Sequence, residues 1–269
     1  MLGDPVAHSL SPVLHRAGYA EVGLDWAYEA HRVASGGLEP FLADLGPEWR
    51  GLSLTMPLKR EVLPLLDDLT DRARLAGAAN TLLLHDDGTR VGDNTDLPGA
   101  AAAIRERTSA PLRSAAILGG GATATSVGLA LADLGVRAVE LVVRDPARAA
   151  VTVDALRAHP AGIDVRTSPL PASTAIVADV VVATIPAAAQ DDGLVARCAA
   201  APVVFEVLYD PWPTPLAAAA HASGRTLVTG LDLLVHQAAL QFELFTGVPA
   251  PLDAMREAGE RALAAQNSA

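Results

Sequence analysis

Cysteine is almost missing from this 269-residue chain. Cys198 stands alone, so no intrachain disulfide can form, and its neighbours Ala196, Arg197, Ala199 and Ala200 offer no metal-ligand spacing. A reducing cytoplasm is the expected home. Cations are scarce as well: 20 Lys and Arg face 31 Asp and Glu, a net charge of −11 that opposes nonspecific attraction to nucleic acid or anionic membranes. A small anionic ligand would need cations placed at its own site. No apolar run reaches the roughly 20 residues that span a bilayer. Residues 1–9 lack the basic start and apolar centre of a secretory signal, and no metal-ligand cluster is visible.

Apolar residues are abundant. At 51% hydrophobic content the chain can bury the core of one large domain or of two ordinary ones, and the motif layout favours two. From Met1 to about Gly99 short strands and helices alternate: Trp26 to Val33 strand-like, Leu38 to Leu45 helical, Leu52 to Leu54 strand-like, Glu61 to Leu66 helical. Thr81 to Leu84 and Arg90 to Gly92 flank an Asp-Gly turn and read as a hairpin. Beyond Ala100 the alternation becomes regular: strand Ala115 to Leu118, helix Ala122 to Leu134, strand Val139 to Val143, helix Ala147 to Ala158, then strands Val180 to Thr184 and Val203 to Val207. That rhythm argues for a doubly wound parallel sheet. Helical segments Leu231 to Leu244 and Leu252 to Ala264 follow.

Between a strand and an amphipathic helix lies Gly119-Gly120-Gly121-Ala122-Thr123-Ala124, with Gly119, Gly121 and Ala124 at the small-residue positions of a dinucleotide loop. Missing side chains let the backbone approach a pyrophosphate, and free amides at the helix start bind its oxygens. The alternative is an ordinary glycine turn. After the next strand come Arg144 and Arg148 around Asp145. The two arginines suit the extra phosphate of NADP, whereas an acidic residue there suits the ribose of NAD. A solvated, non-binding pair of arginines is the other reading.

Further polar groups are set among apolar residues: His8-Ser9-Leu10-Ser11-Pro12, Leu54-Thr55-Met56-Pro57-Leu58-Lys59, Gly77-Ala78-Ala79-Asn80-Thr81 and Gly92-Asp93-Asn94-Thr95-Asp96-Leu97-Pro98-Gly99. Each has a plain structural reading as well: helix capping for the serines, a solvated charge for the lysine, a turn amide for Asn80.

Taken in order, these motifs and the glycine loop closely resemble the shikimate dehydrogenase family nearly end to end. The resemblance implies a two-domain α/β enzyme. Residues 1–98, completed by 232–269, would form a substrate-binding domain and residues 99–231 an NADP-binding Rossmann domain, with the reaction in a cleft between them. It implies that Ser9 and Ser11 grip the substrate carboxylate, and that Thr55, Asn80, Tyr209 and Gln237 bind the rest of the ring. Lys59 and Asp96 would be catalytic. Gly119, Gly120, Gly121, Ala122, Thr123, Ala124, Arg144, Arg148, Gly230 and Leu233 would hold NADP, with NAD less favoured.

Several positions depart from the family pattern. Ser53 stands where an asparagine is usual, Thr125 where an arginine is common, Leu233 where a methionine is frequent, and Val143 and Asp145 flank Arg144 in place of Asn and Thr. Relatives also carry more apolar residues before Gly3, so the natural start is expected upstream of Met1. The implied activity is NADP-dependent, reversible reduction of 3-dehydroshikimate to shikimate in aromatic amino-acid biosynthesis. An NAD-dependent quinate or shikimate dehydrogenase and a non-catalytic dinucleotide-binding sensor are the alternatives. Monomer and homodimer stay open.

Overall fold

The computed structural model describes residues 1–266, so the last three positions of the expected 232–269 segment lie outside the described residues. Backbone contacts divide the chain into two units, residues 1–99 with 234–269 and residues 100–233. The divisions fall inside two helices.

The first unit contains β1 (Leu2–Gly3), α1 (Ser11–Glu21), β2 (His31–Arg32), α2 (Leu38–Ala43), β3 (Gly51–Ser53), α3 (Leu58–Glu61), β4 (Asp68–Leu69), α4 (Asp71–Ala76), β5 (Thr81–Leu84), β6 (Arg90–Asp93) and the start of α5 (Asp96–Arg107). Strands β3, β5, β6 and β4 form one sheet in that order, with β5 antiparallel to both β3 and β6. β1 pairs in parallel with β2 and touches the larger sheet through a Leu2–Leu54 bridge. Leu2, Leu38, Leu52, Leu54, Leu58, Val62 and Leu82 are all buried in one cluster over these strands.

Two expectations in this region need correction. The strand expected from Trp26 to Val33 forms only at His31–Arg32, because its partner β1 offers just two residues. The helix expected from Glu61 to Leu66 ends at Glu61 and gives way to a 3₁₀ turn at Leu63–Leu65. Pro64 has no N–H to continue an α-helical ladder.

The second unit contains the rest of α5, β7 (Ser114–Leu118), α6 (Ala122–Asp133), β8 (Ala138–Val143), α7 (Ala150–Arg157), β9 (Asp164–Pro169), β10 (Val180–Ala183), α8 (Asp192–Arg197), β11 (Val203–Glu206), α9 (Pro215–Ala222), β12 (Thr226–Val228) and the first residues of α10 (Gly230–Thr246). Its six strands are all parallel in the order β12-β11-β10-β7-β8-β9. This is the strand order of a Rossmann sheet, and β7 meets β10 where the winding reverses. Strands buried on both faces need continuous apolar sequence, and Ala115–Leu118 and Val180–Ala183 are buried throughout. The expected helix from Ala147 begins as a 3₁₀ turn before α7. Strands β9 and β12 and helices α8 and α9 had no sequence expectation. α11 (Leu252–Gln266) packs on α1 in the first unit.

Among the described residues no helix is long and apolar enough to cross a membrane. Burial pushes the Cys198 thiol up to about 11, so it stays an unreactive core group.

Candidate active site

Every side chain from Asp93 to Asp96 is spoken for. Asp93 accepts from Thr70 Oγ1 at 2.6 Å and from Arg72, whose guanidinium grips both oxygens. Burial works against its charge, but Arg72 and Thr70 hold the carboxyl below its usual range. Asn94 accepts from the Leu97 amide at 3.2 Å and donates to the Ala78 carbonyl at 2.9 Å, which caps the start of α5 and ties it to the link between α4 and β5. Asp96 therefore sits buried in the first turn of a helix, where the helix dipole favours a negative charge.

Lys59 Nζ lies 2.6 Å from Asp96 Oδ2, with side chains only 14% and 7% exposed. The lysine rides on the short helix α3, and its backbone carbonyl accepts from the Ala79 amide at 2.8 Å. That bond sets α3 beside Asn80. Asn80 Nδ2 reaches the other carboxylate oxygen, Asp96 Oδ1, at 2.8 Å, and also lies 2.9 Å from Thr95 Oγ1 and 3.2 Å from Gln237 Oε1. Its Oδ1 accepts from the Thr95 amide at 2.8 Å and from Thr81 Oγ1 at 2.9 Å. Lys59, Asn80, Asp96 and Gln237 thus form one buried cluster. Gly99 permits it, since a Cβ there would stand 2.8 Å from Gln237 Cβ and force α5 away from α10.

Thr95 is part of this cluster and was missed from the sequence, where it is one small polar residue between two more conspicuous ones. A second signal also went unread: Lys59 is the only lysine in the chain, every other basic residue of the 20 Lys and Arg being arginine. Arginine holds its protons, whereas a lysine ammonium can serve as a proton donor.

Ser11 is buried and begins α1, while Ser9 is half-buried just before it. Neither caps the helix through the expected contact. The N-cap position is Leu10, without a side-chain bond, and the Ser11 amide donates to Ser9 Oγ at 3.3 Å. The Ser11 hydroxyl is thus not consumed as a helix cap. Thr55 is half-buried after β3, its amide bound to the Leu2 carbonyl at 2.9 Å.

In the second unit the glycine loop follows β7 at the switch point of the sheet. Gly119 has φ +111° and a Cβ on it would lie 2.3 Å from Thr184 Oγ1, so only glycine fits. Gly121 is the reverse case. Nothing stands within 4 Å of where its Cβ would be, which leaves open space directly before the first-turn amides of Ala122, Thr123 and Ala124. Those amides have no intrahelical partners, and such a cradle fits a pyrophosphate. Thr125 turns inward: its Oγ1 is 2.7 Å from Thr152 Oγ1, which donates to the Gly120 carbonyl at 2.8 Å. This hydroxyl pair braces the loop from beneath and does not face a ligand as a long arginine would.

Arg144 and Arg148 are both exposed beyond β8. Asp145 Oδ1 accepts from the Ala147 amide at 2.9 Å, so the carboxylate between them is engaged in a local turn. Tyr209 is half-buried in the segment after β11. Gly230 opens α10 and Leu233 is buried one turn on. Thr229 and Asp232 cap that helix reciprocally: the Asp232 amide donates to Thr229 Oγ1 at 3.1 Å and the Thr229 amide to Asp232 Oδ2 at 2.9 Å. Arg107 adds a two-point clamp on Asp232 at 2.6 and 3.0 Å.

Residues 1–82 match the shikimate dehydrogenase substrate binding domain, and residues 230–258 match the shikimate 5'-dehydrogenase C-terminal domain. A shikimate dehydrogenase (NADP(+)) of Rhodospirillum rubrum is 37% identical over 277 residues, covering 96% of this chain and 95% of that one. The crystal structure of shikimate dehydrogenase from Mycobacterium tuberculosis is 42% identical with a TM-score of 0.85, covering 98% of this chain and 97% of that one. Shikimate 5-dehydrogenase from Thermus thermophilus, solved in complex with NADP(H) and shikimate, is 31% identical with a TM-score of 0.81 and 97% coverage of each chain. With identity of this order along nearly the whole of each sequence, the chain belongs to the shikimate dehydrogenase family.

Proposed function

We propose that this protein catalyses the NADP-dependent, reversible reduction of 3-dehydroshikimate to shikimate, in the pathway to the aromatic amino acids. The observation that carries the reading is Lys59 Nζ on Asp96 Oδ2 at 2.6 Å, with Asn80 on the other carboxylate oxygen. Reduction of a ketone delivers a hydride to carbon and a proton to oxygen. Bound NADPH supplies the hydride from its nicotinamide.

The proton comes from Lys59. Its ammonium donates to the oxygen as the alkoxide develops, and in the oxidative direction the neutral amine takes the proton back. Asp96 holds the lysine in place and accepts from the substrate hydroxyl. Asn80 and Gln237 present amides to the neighbouring ring hydroxyls, and Ser9, Ser11 and Thr55 donate to the ring carboxylate and its surroundings. The unit containing residues 1–99 binds the substrate and the unit containing residues 100–233 binds NADP, with Tyr209 contributing to the substrate ring and Gly230 and Leu233 to the nicotinamide end. Arg144 and Arg148 pair with the 2′-phosphate, a favourable match for two guanidinium groups. The isolated, buried Cys198 suits a cytoplasmic enzyme.

Initial rates with shikimate and quinate, each against NADP and NAD, test this reading. Fastest turnover with shikimate and NADP is expected. Preference for quinate with NAD would move the protein to a catabolic dehydrogenase, and no turnover in any combination would reduce it to a dinucleotide-binding sensor.

A further inference from the structure

Behind the Lys59–Asp96 pair runs a line of buried hydrogen bonds that begins far from it in sequence. Tyr28 Oη donates to Ser53 Oγ at 2.6 Å, and Ser53 Oγ donates to Gln241 Oε1 at 2.7 Å. Gln241 Nε2 then donates to Thr81 Oγ1 at 2.9 Å and to the Asn80 carbonyl at 3.0 Å. Thr81 Oγ1 donates to Asn80 Oδ1 at 2.9 Å, and Asn80 Nδ2 to Asp96 Oδ1 at 2.8 Å. Every link donates in one direction, towards the carboxylate. Tyr28, Ser53, Asn80, Thr81, Asp96 and Gln241 are all buried, so water does not compete for these groups.

The direction of the line follows from its ends. Burial pushes the Tyr28 phenol well above its ordinary value, outweighing the Ser53 and Ser11 hydroxyls that oppose the rise, so Tyr28 enters the line as a donor. At the far end the Asp96 carboxylate accepts. A hydroxyl can turn either way and an amide can flip. With Tyr28 donating to it, Ser53 spends its own proton on Gln241. Gln241 must then turn its NH2 towards Thr81, and Thr81 must donate to Asn80. The amide oxygen of Asn80, which also accepts from the Thr95 backbone amide at 2.8 Å, is thereby occupied from two sides, and its NH2 faces the carboxylate. The small hydroxyl of Ser53 fits between the phenol of Tyr28 and the amide of Gln241.

We propose that Tyr28 and Ser53, acting through Gln241, are positioning residues that fix the orientation of Asn80 and so the placement of Asp96 and Lys59 for proton transfer. The inference rests on the role assigned to Lys59 above. Interactions within such a chain act as a unit, and breaking it at either of two links has nearly the same effect as breaking both.

The test compares Tyr28→Phe, Ser53→Ala, the double variant and Ser53→Thr with the wild type. Two readouts are needed: steady-state kinetics, and NMR of protein labelled with ¹³C-lysine, in which Lys59 gives the only side-chain signal. Tyr28→Phe keeps the ring that stacks on His15 at 4.2 Å, so it preserves the packing even if Ser53→Ala fails to fold. The expected result is a fall in kcat of about tenfold, the scale of a small misplacement of reacting groups, with the KM for NADP unchanged. The double variant falls no further than Ser53→Ala, Ser53→Thr recovers most of the rate, and the lysine signal moves in every variant that breaks the line. A lower melting temperature with unchanged kcat and an unmoved lysine signal would make the line purely structural and overturn the proposal. The lysine signal is read without turnover. Wild-type protein that binds NADP but turns over no shikimate would therefore sink the reading of the reaction while leaving the relay to be judged separately.

Discussion

Lys59 and Asp96, 37 positions apart, meet at 2.6 Å with both side chains largely shielded from water. A buried ion pair of this kind is a weak source of stability, because desolvation of both charges offsets their attraction. Its value lies in holding an exchangeable proton at a fixed place. Lys59→Ala is expected to lower kcat by roughly 10²- to 10⁴-fold, the usual range for losing a positioned proton-transfer group, while NADP binding stays near normal. Asp96→Asn should be comparably severe. Steady-state rates on folded variants check this, and near-normal turnover in the lysine variant would remove Lys59 from the mechanism.

The single lysine makes chemical modification informative too. With an amine-directed acylating reagent the enzyme should lose activity in proportion to acylation at Lys59, and shikimate should slow the loss. Peptide mass spectrometry counts the adducts. Full activity with Lys59 modified would contradict its role.

Carboxylate recognition by Ser9 and Ser11 predicts that Ser9→Ala and Ser11→Ala each raise the KM for shikimate by an amount equivalent to about 1.5 to 3 kcal/mol, the worth of a hydrogen bond to a charged group. NADP affinity should barely change. A defect mainly in folding would show that the serines serve the start of α1.

The nucleotide loop separates two kinds of glycine. Gly119→Ala should destabilise the protein by more than about 1 kcal/mol, since alanine is strained at its positive φ and meets Thr184. Gly121→Ala meets open space, so its melting temperature should be unchanged while NADP binding weakens. Arg144→Ala should weaken NADP by about 1.5 to 3 kcal/mol and NAD little. Calorimetric titration with both cofactors reads these effects; equal losses for NADP and NAD would move the 2′-phosphate contact elsewhere.

Acid stability should depend on Asp93 and Asp232. Burial opposes the charge on each, but Arg72 and Thr70 on one, and Arg107 and Thr229 on the other, hold their pKa values below the ordinary range. A depressed carboxyl pKa contributes stability that is fully present above the unfolded value of about 3.9 and is lost as pH falls through the folded value. Unfolding followed by circular dichroism should therefore show stability falling steeply only below about pH 4. Arg107→Met leaves the Asp232 charge buried without its guanidinium. Breaking a fully buried pair costs about 3 to 5 kcal/mol, but Arg107 is 42% exposed, so about 2 kcal/mol is expected at neutral pH. The acid transition should move upward in pH as well, and an unmoved transition would remove this pair from the explanation.

Much of this architecture was legible in the order of residues. An apolar strand at Ala115–Leu118, three glycines and the helix from Ala122 declare themselves locally, because a parallel core strand and a helix start each have a short-range pattern. The polar motifs around Ser9, Lys59, Asn80 and Asp96 were also legible as a series, through their likeness to one family. Strand length was not. The segment from Trp26 has strand-forming residues, yet only two of them find a partner, and partners are supplied by distant chain. The contacts among Lys59, Asn80, Asp96 and Gln237, the inward turn of Thr125, and the run of hydrogen bonds from Tyr28 to Asp96 belong wholly to tertiary structure. Short polar side chains carry no periodicity, and whether a hydroxyl or an amide donates or accepts depends on distant neighbours: Ser53 and Gln241 lie 188 positions apart.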